Sequence, residues 1–362
     1  MKYRIKPSLR VFDLRKSNGT VVIGKNLPLS VTIEDASNQF VEMLKLLNGE
    51  LHVENIAEEL QLELSVVNEA IQNLVNLNVV EIVESVSNDF SMEELMYYDR
   101  QLGFFSIFPE TYKIDKLNNQ KKLKNCLVTI IGMGGGGTHV CRELAGIGIG
   151  NIQIVDGDRI ELSNLGRQFL YDYSDIGESK VSVAKRKIED INPFINVIEV
   201  EKFVTSQEEL VCILNNSDLV VLAADEPPII LMNWVNSICV EQGIPFLTLG
   251  VNEFHCVAGP FVVPKKSPCI NCIDMEDNMI NPYRYELINQ LKNYEFPWKE
   301  AVFPPLISLI SSIVSFEISR YLLTEKSVLV GRTLTINPID WSFEWEEWHR
   351  NSMCTTCHSK GI

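Results

Sequence analysis

The chain has 362 residues, 46% hydrophobic and 22% charged, a balance that excludes disordered, collagen-like and coiled-coil chains. That length exceeds what one small core organises and predicts two or three domains. The 32 Lys plus Arg against 48 Asp plus Glu leave a formal charge of −16, which repels phosphate backbones and argues against nucleic acid as a partner. The N-terminal MKYRIKPSLRVF has no apolar core of a secretory signal. The most apolar later stretch, Leu306 to Leu323, is interrupted by Glu317 and Arg320, so it predicts a buried helix and no membrane span. A cytoplasmic protein is expected.

Residues 1–85 read as a small independent domain. YRIKPSLRVFDLR and TVVIGKN have strand patterns joined through Ser17-Asn18-Gly19, a hairpin signal. Helical patterns follow over 36–47, stopped by Asn48-Gly49, then over 53–60 and 65–76, and a last strand starts at Val79. Three helices and a strand make a winged-helix-like pattern, whose third helix in other proteins enters DNA. Here residues 1–90 hold 8 Lys/Arg against 13 Asp/Glu, and the third helix, SVVNEAIQNLVN, has no basic residue. An extended peptide added to a strand edge fits that charge better than DNA. A domain that only packs on the rest of the chain is the plainer reading. Residues 86–122 form a polar, aromatic-rich connector, and residues 123–362 begin as an α/β doubly wound, Rossmann-like unit.

CLVTIIGMGGGGTHVCRELAGIGIGNIQIVD holds the strongest signal. An apolar strand runs into a glycine loop, then a helix, then a strand ending at Asp156. Gly132, Gly134 and Gly137 fit G-x-G-x-x-G, with Gly135 inside it; missing side chains let phosphates approach backbone N–H groups at a helix N-terminus. Asp156 stands 24 residues after Gly132, where an acidic residue grips a ribose hydroxyl. Asn164, Arg167 and Lys180 follow. A nicotinamide site has no need of such a cluster, whereas a triphosphate losing pyrophosphate needs cations on its oxygens. Arg167 and Lys180 read equally as solvated surface charges.

Nine cysteines divide into two groups. Cys269-x-x-Cys272 and Cys354-x-x-Cys357 supply the four thiolates of a tetrahedral zinc site, one that staples the C-terminal tail to the middle of the chain. His255 and His358 are rival ligands that four sulfurs make unnecessary. Cys126, Cys141, Cys212, Cys239 and Cys256 lie in apolar runs and are expected to be small buried hydrophobes. From Asp274 to Phe303, Tyr283, Tyr285, Tyr294, Phe296 and Trp298 suit a substrate cover or a core equally.

The glycine loop, IVDGD, ELSNLGRQ, the GESK turn, AADEP, the paired C-x-x-C motifs and the upstream YYDRQL together resemble the ThiF/MoeB/MccB family, relatives of ubiquitin-activating enzymes. The resemblance covers roughly residues 97–358. The N-terminal domain resembles the precursor-peptide recognition elements of ribosomal peptide pathways. The resemblance implies ATP-dependent adenylation of a carboxylate by a homodimer. It gives Asp156 to the ATP ribose, Asn164, Arg167 and Lys180 to the phosphates, and Asp225 to Mg²⁺. Arg100 becomes an arginine finger reaching the partner subunit's ATP site. Asp225 as a loop cap and Arg100 as a linker charge are the alternatives. Thioester-forming members carry a nucleophilic cysteine after the first zinc pair, and residues 273–353 here contain none. Direct capture of the acyl adenylate by another nucleophile is therefore expected, with a ribosomal precursor peptide as substrate.

Overall fold

Apolar residues at four- and three-residue spacing put Val67, Ile71 and Leu74 on one side of a helix, and that side closes the core of the N-terminal unit. The computed structural model describes the chain except residues 25–29, 35, 84–88, 112–114, 253, 281–282, 284–285, 288–289, 291–300 and 359–362. It divides into two compact units, Met1–Lys121 and Lys122–Ile362.

In the first unit the elements run β1 (Lys2–Ile5), β2 (Val11–Leu14), α1 (Arg15–Asn18), β3 (Thr20–Ile23), β4 (Val31–Glu34), α2 (Asn38–Leu46) and β5 (Asn48–His52). They continue α3 (Val53–Leu60), α4 (Leu64–Asn76), β6 (Val80–Ile82), α5 (Met92–Tyr97) and α6 (Asp99–Phe105), and α7 (Lys116–Asn125) crosses the division. The single first strand expected over residues 3–15 is two. Pro7 occupies the second position of a turn closed by Leu9 N to Lys6 O at 2.9 Å, and this sends β1 and β2 into different sheets. One sheet has the order β5-β1-β6 and the other β2-β3-β4, all antiparallel. β1 and β3 are central in these sheets, and among the described residues β2, β4, β5 and β6 are the edge strands. Asn48-Gly49, expected as a helix stop only, also opens β5. The connector is helical: Ser91 and Glu94 form a reciprocal capping box at the start of α5.

In the second unit β7 (Leu127–Ile131) and β10 (Leu219–Leu222) are almost wholly buried, as strands covered on both faces must be. The remaining elements are α8 (Gly135–Ile147), β8 (Asn151–Val155), α9 (Lys180–Ile191), β9 (Asn196–Val200), α10 (Gln207–Leu214), α11 (Ile230–Gln242), β11 (Phe246–Asn252) and β12 (His255–Val262). Then come α12 (Ile270–Ile280), α13 (Pro304–Thr324), β13 (Arg332–Asn337) and β14 (Ser342–Glu347). The eight-stranded sheet has the order β9-β8-β7-β10-β11-β12-β13-β14. β9 to β11 are parallel and the last three strands extend the sheet antiparallel. The strand order reverses between β7 and β10, the switch point where doubly wound sheets bind ligands.

The apolar stretch 306–323 is the expected buried helix, α13. Among the described residues it alone has the length and apolarity to cross a bilayer, yet Ile307, Ile310, Val314 and Ile318 are buried inside the unit. Its interior Glu317 accepts hydrogen bonds from Ser327 Oγ at 2.6 Å and Val328 N at 2.9 Å, with Arg320 at 3.3 Å, which satisfies a buried charge. One expectation fails for two of the five lone cysteines. Cys141, Cys239 and Cys256 are buried, but Cys126 is half-buried and Cys212 is exposed. Leu210 and Leu214 face the core from α10, and two residues along a helix turn Cys212 to the opposite side.

Candidate nucleotide and metal sites

Gly132 follows β7 with φ +94, and a Cβ there would lie 2.7 Å from Ala223 O. A Cβ on Gly137 would lie 1.8 Å from Gly132 O, so the loop and the start of α8 close on each other only with glycine at both places. Gly134 and Gly135 are different: among the described residues no non-neighbouring atom comes closer than 3.5 Å to the Cβ either would carry. Gly134 is the N-cap of α8 and no side chain caps the helix. The first N–H groups of α8 are therefore left for an acceptor from outside, with the positive end of the helix dipole behind them.

Asp156 closes β8. Its Oδ2 accepts from Met133 N at 2.6 Å and its Oδ1 from Asp158 N at 2.8 Å, so the carboxylate is pinned to the glycine loop. Lys180, the first residue of α9, is buried. Its Nζ lies 2.6 Å from Asp158 Oδ2 and 4.0 Å from Asp156 Oδ2. It is thus no solvated surface charge. Tyr171 ties the loop to this helix, its hydroxyl 3.1 Å from Met133 O and 3.3 Å from Lys180 O. Burial, followed by the Asp156 charge, raises the Tyr171 phenol pKa and keeps it a neutral donor. Asp158 and Tyr171 complete the site without having been expected; only the fold brings them there.

Asn164 is buried, and its Oδ1 accepts from Glu161 N at 3.0 Å to close a short 3₁₀ turn, Leu162–Asn164. Its carbonyl takes Arg167 N at 3.0 Å and Gln168 N at 2.9 Å, which lays this segment over the loop: Arg167 O would stand 3.7 Å from a Cβ on Gly135. Arg167 is half-buried and donates from Nη1 to Ser163 O at 2.8 Å. Asp225 is exposed just past β10, and the preceding Ala223 and Ala224 pack on Gly132. Arg100 lies in the other unit, on α6, with a fully exposed side chain 3.9 Å from Asp99.

The four cysteines converge. Cys269 Sγ stands 3.9 Å from Cys272 Sγ and 3.6 Å from Cys354 Sγ, and Cys272 Sγ is 3.4 Å from Cys357 Sγ. All four sulfurs lie within 4.8 Å of one another. A tetrahedron of Zn–S bonds has edges of about 3.8 Å, so the cluster is shaped for zinc. Asn351 N, 3.4 Å from Cys272 Sγ, supplies the hydrogen bond a thiolate wants. His358 Nδ1 touches Cys357 Sγ at 3.4 Å from an exposed position, and His255 sits on β12 outside the cluster. Of the aromatic segment, Tyr283 is exposed; Tyr285, Tyr294, Phe296 and Trp298 lie outside the described residues.

A parallel sheet with an uncapped glycine helix at its switch point, a pinned carboxylate on the next strand and a buried lysine opening the following helix define a nucleotide-binding α/β protein. Residues 98–358 match the ThiF family, and the chain belongs to it. The sulfur carrier protein adenylyltransferase of Thermus thermophilus is 29% identical over 272 residues, 74% of this chain and 92% of that protein. The molybdopterin-synthase adenylyltransferase of Escherichia coli is 26% identical, again over 74% of this chain and 98% of the relative. The fold matches E. coli MccB with ATP at a TM-score of 0.74, 24% identity, and coverage of 99% of this chain and 100% of the other. It matches PaaA at 0.75 and 24% identity, covering 94% and 99%.

Proposed function

We propose that this protein uses ATP to adenylate a carboxylate on a ribosomally synthesised precursor peptide, and that the peptide itself captures the acyl adenylate. One observation carries the choice of substrate. The sulfur-carrier and molybdopterin relatives are matched over nearly their whole length, yet account for only 74% of this chain. MccB, crystallised with MccA, and PaaA are matched along 94–99% of it, the first unit included. An acidic first unit that falls within the match to an enzyme crystallised with MccA favours a peptide as substrate.

The peptide carboxylate attacks the α-phosphorus of ATP, pyrophosphate leaves, and an acyl adenylate forms. A nucleophile of the peptide then displaces AMP and loses its proton, so the product is lighter by one water. Asp156 holds the ribose, and the open N–H groups of α8 take phosphate oxygens together with Asn164, Arg167 and Lys180. Lys180 starts paired to Asp158, and an arriving phosphate competes for the same ammonium. Asp225 would hold Mg²⁺, which screens the triphosphate charge when bound. The four cysteines would hold Zn²⁺ as a structural staple. The enzyme supplies position and charge neutralisation while the peptide brings both reacting groups.

One precedent for the capture step is cyclisation through activated glutamate side chains, as in the pantocin A pathway that PaaA serves. An MccB-like outcome, adenylation of the peptide C-terminus ending as a phosphoramidate, is the second reading. Activation of a ubiquitin-like or sulfur-carrier protein is the third and rests on the adenylyltransferase relatives. The intact mass of the peptide encoded beside the gene, after incubation with ATP, Mg²⁺ and the enzyme, separates them. Loss of water, with or without carbon dioxide, supports internal capture. Gain of an AMP-sized group supports terminal adenylation. AMP formation only with a carrier ending in Gly-Gly overturns the peptide reading.

A further inference from the structure

Gln168 is 2% exposed and its Oε1 has no hydrogen-bond partner among the described residues. Its Nε2 donates to no described residue either, and this donor end, unlike Oε1, faces the glycine loop, where an acceptor from outside would satisfy it. Its Nε2 lies 3.8 Å from the point a Cβ on Gly134 would occupy, the one non-neighbouring atom within 4 Å of that point among the described residues. The backbone holds the residue from both sides: Gln168 N donates to Asn164 O at 2.9 Å, and Gln168 O accepts from Tyr171 N at 3.1 Å. The same Tyr171 reaches Met133 O inside the glycine loop. An idle amide thus stands over Gly134, where the uncapped N-terminus of α8 is open.

We infer that Gln168 is a phosphate ligand, its Nε2 donating to the ATP phosphate oxygen that seats on Gly134. The inference rests on the nucleotide reading of this loop. The carboxamide ends exchange by a half-turn of the side chain, and an anionic oxygen selects the nitrogen. The first N–H groups of α8 meet the same phosphate from below, so the anion is held between main-chain and side-chain donors.

Gln168→Met keeps the length and volume of the side chain and removes its polarity; Gln168→Glu keeps the shape and adds a negative charge. Calorimetry on the full-length protein with MgATP, and separately with adenosine, reads the difference. Gln168→Met should weaken ATP roughly ten- to a hundred-fold and Gln168→Glu should weaken it further. Adenosine, which has no phosphate, should stay within about two-fold in both. ATP affinity unchanged in Gln168→Met, or equal losses for ATP and adenosine, overturns the assignment. Should both variants fail to fold, ¹⁵N-glutamine spectra of the wild type keep the test open. A side-chain amide signal that moves with ATP and not with adenosine supports the inference, and no such signal overturns it. A wild type that binds no ATP removes the nucleotide reading itself; one that binds ATP indifferently to Gln168 removes only this step.

Discussion

Neighbouring glycines of one loop answer to different physics. On Gly137 a methyl group would overlap Gly132 O at 1.8 Å, a backbone atom that cannot rotate away as a side chain would. Gly137→Ala should therefore cost about 3 kcal/mol or more, read as a lowered urea midpoint. Gly134 has a negative φ and open space before it, so Gly134→Ala should change stability by no more than about 0.5 kcal/mol. Its methyl would occupy the phosphate seat, and ATP affinity should fall while the fold stands. The same separation of folding from chemistry applies to the charges. Asp225 is exposed, so Asp225→Ala should abolish AMP formation with zinc content and melting temperature unchanged. Lys180→Ala should abolish it too, with some loss of stability, because Asp158 and Asp156 lose their shared cation. Wild-type AMP production in either variant removes ATP chemistry from this cluster.

At the scale of elements, α6 is held at its C-terminal end by a buried lysine. Lys6 Nζ donates to Asn78 Oδ1 at 2.5 Å and to Ser106 O, the cap of α6, at 2.7 Å. Burial lowers the Lys6 pKa to about 8, with Glu81 opposing that shift and Lys116 adding to it. The unfolded chain keeps its lysine protonated up to roughly pH 10.4. Between about pH 8 and that value the unfolded state binds more protons, so this group makes stability rise with pH. Urea titrations of the full chain across that window should show the rise in wild type and lose it in Lys6→Met; parallel curves refute the assignment. The lysine itself was not legible in the sequence, because its burial depends on β1, Asn78 and α6 meeting. Legibility followed how local each signal is. The strand, glycine loop, helix and Asp156 unit follows from residues within one βαβ span, and the four helices α2, α3, α4 and α13 from their apolar spacing. β4 and β5 are four and five residues long and exist through their pairing, which a linear pattern does not carry. The S-x-x-E of Ser91 and Glu94 was a readable helix start inside a stretch whose polarity suggested a loop. In the site, residues within motifs were legible, while Asp158 and Tyr171 act through distances that only the assembled switch point creates.

At the scale of the whole molecule, two long-range couplings are open to test. The first is metal: Cys269 and Cys354 are 85 residues apart in sequence, and their meeting joins the tail to the core cluster that also contains Val235, Ile238 and Phe246. Removing zinc, by chelation or by Cys354→Ser, should release one equivalent per chain, lower the melting temperature and open the tail to proteases. A tail equally resistant without metal would refute the staple. The second is between subunits. Arg100 is the one proposed catalytic side chain in the first unit, and it stands fully exposed, with Asp99 3.9 Å away. An arginine finger would meet phosphate when a second copy presents it. Co-expressed Arg100→Ala and Lys180→Ala chains decide the matter. If Arg100 acts across a two-fold dimer, each mixed dimer has one site carrying both lesions and one carrying neither. Random pairing then restores about a quarter of the wild-type rate from two inactive parents. If Arg100 acts on its own chain, every site in the mixture has one lesion and no activity returns. If Arg100→Ala alone is fully active, the residue is a linker charge and the dimer has no catalytic reason to form through it.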